Sequence, residues 1–125
     1  MNPAAESESV FRKHPLAVRL CQIAACVSKI SELARDASSS MAVAALLDST
    51  RNLIEWTAPE IEVAPEAGGE LANLLRTLTM WLGIWREEQV TRRLQTLLYH
   101  EMRCWSERVS GFAERLASLS TTAVR

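Results

Sequence analysis

Glycine and proline are scarce in this chain, four of each in 125 residues. Between Glu70 and Ser118 there is no proline at all, and only Gly83 and Gly111 interrupt the side-chain pattern. A stretch that poor in turn residues cannot be cut into many short strands, so an all-β reading is excluded there. No glycine-rich loop is present that would cradle a phosphate. Histidine is limited to His14 and His100, too few for a serine–histidine–acid arrangement to be argued. Cys21, Cys26 and Cys104 form no CxxC pair and no even-numbered framework, which points to free thiols and a reducing compartment. Cys21 and Cys26 fall in or near an apolar seam and are expected to be inert core thiols.

Long apolar runs are missing too. Met1 to Lys13 is polar and has no signal-peptide core. The most apolar segment, Leu71 to Trp85, contains Arg76 and is too short for the roughly 20 residues that cross a bilayer. A cytoplasmic location with no membrane partner is the expectation. Formal net charge is −1. Residues 55–70 carry Glu55, Glu60, Glu62, Glu66 and Glu70 without a lysine or arginine, while residues 76–115 mix arginine and glutamate too evenly for a nucleic-acid footprint. No nucleic-acid partner is expected.

What is abundant is helical periodicity. After a mobile N-terminal arm over 1–14, in which Val10 and Phe11 could dock, Pro15 suits a helix start. Leu16, Leu20, Ile23, Val27, Ile30 and Ala34 then recur at spacings of three and four, predicting an amphipathic helix over 15–36. Ser38-Ser39-Ser40 offers a short connection and an N-cap. Met41, Val43, Leu46, Leu47, Thr50, Leu53, Ile54 and Trp56 predict a second helix over 40–57, antiparallel to the first. Pro59, Pro65, Gly68 and Gly69 mark residues 59–69 as a loop, within which Ile61 and Val63 alternate with glutamates. Two further stripes predict helices over 70–86 and 90–118, followed by a mobile tail over 119–125. Between Trp85 and Val90 the stripe slips by one residue, so the last two helices are separate or form one long kinked helix. The fold class expected is an all-α antiparallel bundle of about four helices, a single domain over 15–118.

Three short patterns bear on chemistry. His100 and Cys104 lie four residues apart on one helical face, and with Glu101 they are similar to the HExxH zinc-binding helix. The second histidine is replaced by Cys104 and no third ligand has a recognisable spacing, so neither a metal nor a cofactor is expected. Arg93 and His100 resemble the Arg-x(4–6)-His pattern of HEPN-type ribonucleases, small helical bundles that pair to cleave RNA. That resemblance implies an arginine holding phosphate and a histidine moving protons at a dimer cleft, although Leu94 stands where the family usually carries a polar residue. Trp56 and Glu60 form a WxxxE string similar to that of some bacterial effectors, and Pro59 interrupts it.

Aromatic placement is the stronger signal. Four tryptophans occur, and Trp81 and Trp85 are one turn apart. The apolar residues from Leu71 to Trp85 cover more than half the helix circumference, whereas a helix facing one core needs roughly 100°. The surplus is expected to be buried centrally or against another chain, with Leu78, Trp81, Trp85 and Trp105 as the interaction surface. The function expected is a non-enzymatic helical interaction module (a regulator, adaptor or chaperone) that associates with itself. The alternative is the HEPN-like ribonuclease using Arg93 and His100.

Overall fold

The computed structural model describes residues 3–58, 65–87 and 90–123. The described residues form helices and their connections, with no strand among them. Helix α1 spans Pro3–Arg12, α2 Leu16–Ala34, α3 Ser40–Thr57, α4 Pro65–Glu87 and α5 Arg92–Ala123. A short 3₁₀ turn, Ala37–Ser39, joins α2 to α3.

The all-α bundle read from the periodicity is the fold, with shifted element ends. Where a mobile arm was expected, residues 3–12 are helical. Phe11 is buried and its ring lies 6.0 Å from that of Trp56 on α3, while Val10 stays exposed. Pro15 is the N-cap of α2, and its carbonyl accepts from the Arg19 amide at 3.0 Å. Ser39 of the serine run is the N-cap residue of α3 but makes no side-chain cap hydrogen bond, and Asp36 caps the 3₁₀ turn ahead of it. Its carboxylate accepts from the Ser38 amide at 3.0 Å and from the Ser38 and Ser39 hydroxyls at 2.7 and 3.1 Å. Those hydrogen bonds favour the ionised form and hold the Asp36 carboxyl below its ordinary range.

Helix α4 begins at Pro65, so Gly68 and Gly69 lie inside a helix instead of in a loop. Each glycine costs about 1 kcal/mol against alanine there, an amount that burial of Leu71 and Leu74 just downstream offsets. Residues 59–64, including Glu60, Ile61 and Val63, are outside the described residues. Helix α4 ends at Glu87 and a separate helix, α5, begins at Arg92. Thr91 caps the new helix, its hydroxyl accepting from the Leu94 amide at 3.2 Å, and this accounts for the slip in the apolar stripe. Helix α5 then runs to Ala123, past the expected end at 118.

Side-chain ties fix the arrangement. Ser106 Oγ donates to the Ala24 carbonyl at 3.1 Å, and Arg35 lies over the Tyr99 ring, so α5 runs antiparallel to α2. Glu70 pairs with Arg108 and Trp81 with Glu101, so α4 and α5 are antiparallel as well. Helix α2 packs between α3 and α5, and α4 packs against α3. Leu20, Ile23, Val27 and Ile30 are fully buried with Val43, Leu47 and Ile54 of α3. Each large apolar side chain buried in this way contributes roughly 1.5–3 kcal/mol. The buried hydroxyls of Thr50 and Thr57 are satisfied within α3, donating to the carbonyls of Leu46 and Leu53 at 2.7 and 2.8 Å. Among the described residues no helix is long and apolar enough to cross a membrane.

Candidate interaction surface

Leu78, Trp81, Trp85 and Trp105 are all more than nine-tenths buried within the single chain. Most of the wide apolar arc of α4 is therefore filled inside the bundle, with Met80 left at its exposed edge. A corner helix in such a bundle faces two neighbours, and α4 uses the rest of the arc on them. Leu71 and Leu75 line a small apolar hollow with Ile54 of α3. On the other flank Trp81 reaches α5, where its Nε1 donates to Glu101 Oε2 at 3.0 Å. The Trp81 and Trp85 rings meet edge to face at 6.0 Å. Indole N–H groups usually find a partner when buried. Trp85 Nε1 has none.

The apolar atoms that do reach solvent lie next to this core. Few Cα atoms of α4 approach those of α5, so the side between them is spanned by side chains rather than by close backbone contact. Met80 is 51% exposed and Leu97 is 48% exposed. The Trp81–Glu101 hydrogen bond places Met80 one residue, and Leu97 one helical turn, from the same tie. Ile84, one turn beyond Met80, is packed at the edge of the core. Met80 lies within the same apolar segment as its buried neighbours. The signal that singles it out is its place on the far side of the helix wheel from Leu78 and Leu82.

Arg93 and His100 are both exposed on α5, seven residues and hence roughly 10 Å of helix rise apart. The His100 ring packs edge to face on Tyr99 at 5.1 Å. Cys104 is exposed one turn further along. Glu101, the acid between them, is committed to Trp81. Among the described residues no three histidine, cysteine, aspartate or glutamate side chains gather where they could hold a metal ion.

The cysteines divide differently from the expectation. Cys21 is exposed, not a core thiol. Cys26 is half-buried, and burial pushes its thiol pKa up, partly opposed by a hydrogen bond with Thr50. Arg19 is buried beside the α1–α2 turn and donates from Nε to the His14 carbonyl at 3.0 Å. Burial, and then the positive charge of Arg12, lower its guanidinium pKa.

The chain matches no protein-family model, and neither the curated proteins nor the solved structures contain a match to it.

Proposed function

We propose that this chain is a non-enzymatic interaction module that pairs with a second copy of itself through the outer face of α4 and α5. The observation that carries this reading is the half-exposed pair Met80 and Leu97 beside the Trp81–Glu101 tie. Large flexible apolar side chains over a packed aromatic core suit a contact that must adapt to its partner.

Size supports the reading. Helix α4 has 23 residues, about 35 Å of rise. Two helices of that length, each about 10 Å across, present a face of roughly 700 Å², close to the roughly 800 Å² per partner of a standard interface. A net charge of −1 also leaves little long-range repulsion between copies. Leu78, Trp81, Trp85 and Trp105 act in this scheme as the rigid floor of the face rather than as its contact atoms.

Sedimentation equilibrium tests the proposal. The native chain should move from 13.9 kDa toward twice that mass as its concentration rises. Met80→Glu and Leu97→Glu should hold it at the monomer mass while far-UV circular dichroism stays helical. A native chain that remains monomeric at tens of micromolar, where even micromolar affinity (about −8 kcal/mol) would be visible, contradicts it.

A further inference from the structure

At the end of the bundle where α2 stops and α5 starts, Arg35, Arg92, Gln95 and Thr96 line a cleft of about 190 Å³. That is several times the roughly 30 Å³ that one water occupies in the liquid. Two guanidinium groups border it, and a third is close. The Arg35 guanidinium stacks 4.7 Å from the centre of the Tyr99 ring, and Arg103 Nη1 donates to the Tyr99 hydroxyl at 2.9 Å. Arg35 and Arg103 thus meet one phenol, and Arg35 faces Arg92 across the cleft, in a chain whose net charge is −1.

Among the described residues no carboxylate answers them. Asp36, next to Arg35, spends its oxygens on Ser38 and Ser39. Glu32 on the same helix lies 3.8 Å from Lys29. Among the described residues, Arg35, Arg92 and Arg103 have no acidic group within ion-pair distance. Like charges so arranged repel one another unless an anion sits among them. Stacking on Tyr99 fixes the Arg35 guanidinium by its face and leaves its N–H edges free to donate. The start of α5 adds the positive end of a 32-residue helix to the same place.

We propose that this cleft binds a phosphoryl group, with Arg35 and Arg92 as forked donors on its oxygens and the Thr96 and Gln95 side chains at its wall. Planar guanidinium forks match the edges of a tetrahedral oxyanion, and two of them balance a dianion. The site is independent of the α4–α5 face proposed for self-association.

The test is a titration of the ¹⁵N-labelled chain with inorganic phosphate, and separately with glycerol phosphate, at ionic strength held constant with chloride. Saturable amide shifts at Arg35 and over residues 92–96 are expected. Saturation by inorganic phosphate alone identifies the free ion as the occupant, and saturation by both identifies the phosphoryl group of an ester as well. Arg35→Gln and Arg92→Gln should each weaken binding by about tenfold or more. Both residues are exposed, so the spectra should keep their dispersion. Arg76→Gln, on α4, should leave the affinity unchanged. Shifts that never saturate, or that saturate equally in both cleft variants, overturn the site.

Discussion

The Trp81 indole donates its N–H to Glu101 across 3.0 Å, a hydrogen bond between α4 and α5 that is anchored on a buried aromatic. Removing the acceptor leaves a buried donor without a partner, which costs about 1–3 kcal/mol. Glu101→Ala should lower stability by that amount in urea unfolding. In a Trp81→Phe background, where there is no N–H to satisfy, the same change should cost clearly less. Equal costs in both backgrounds would mean that the bond contributes nothing.

The α2 seam provides a second check. Ile23 is fully buried, and Ile23→Ala should cost about 2–5 kcal/mol through lost transfer energy and the cavity left behind. Lys29 is exposed, and Lys29→Ala should stay within about 0.5 kcal/mol. Comparable losses from the two would contradict the placement of the seam.

Much of this fold was legible because helical periodicity is a local property. Leu20, Ile23, Val27 and Ile30 announce their common face from spacing alone, and the second helix was placed over the residues it occupies. The start of α4 was not legible. Gly68 and Gly69 look like loop residues locally, and only tertiary burial downstream extends the helix back to Pro65. The cap at Asp36 was hidden beside three serines, each an equally good cap by type. The tryptophan arc was read against a single-core premise that a corner helix does not obey. Met80 was separable on the helix wheel, opposite Leu78 and Leu82, whereas Leu97 needed three dimensions, since its exposure depends on where α2 and α4 lie.

Thiol chemistry should follow burial. Cys21 and Cys104 are exposed, whereas burial raises the Cys26 pKa and so lowers its thiolate fraction near neutral pH. Alkylation of the folded chain followed by mass spectrometry should show two fast additions and one slow one. The slow site should speed up as pH rises, because a raised pKa moves thiolate formation to higher pH. Rapid labelling of Cys26 at neutral pH would contradict its burial against Thr50.

Arg93 and His100 offer a direct comparison with the ribonuclease alternative. The interaction-module reading expects single-stranded RNA to remain intact with the native chain and with an Arg93→Ala, His100→Ala double variant alike. Cleavage by the native chain that the double variant loses would restore the ribonuclease reading.

Methionine oxidation reads, residue by residue, which face meets the second copy. Met41 is 89% exposed on α3, Met80 is 51% exposed on α4, and Met102 is fully buried. Peroxide treatment across a series of chain concentrations, with peptide mapping, gives a rate for each. Met41 should oxidise fastest and Met102 slowest at every concentration, while the Met80 rate falls as the chain is concentrated and the α4–α5 face is covered. A Met80 rate that stays constant while the measured mass doubles would place the contact elsewhere, and a constant rate with a constant mass would remove the self-association account altogether.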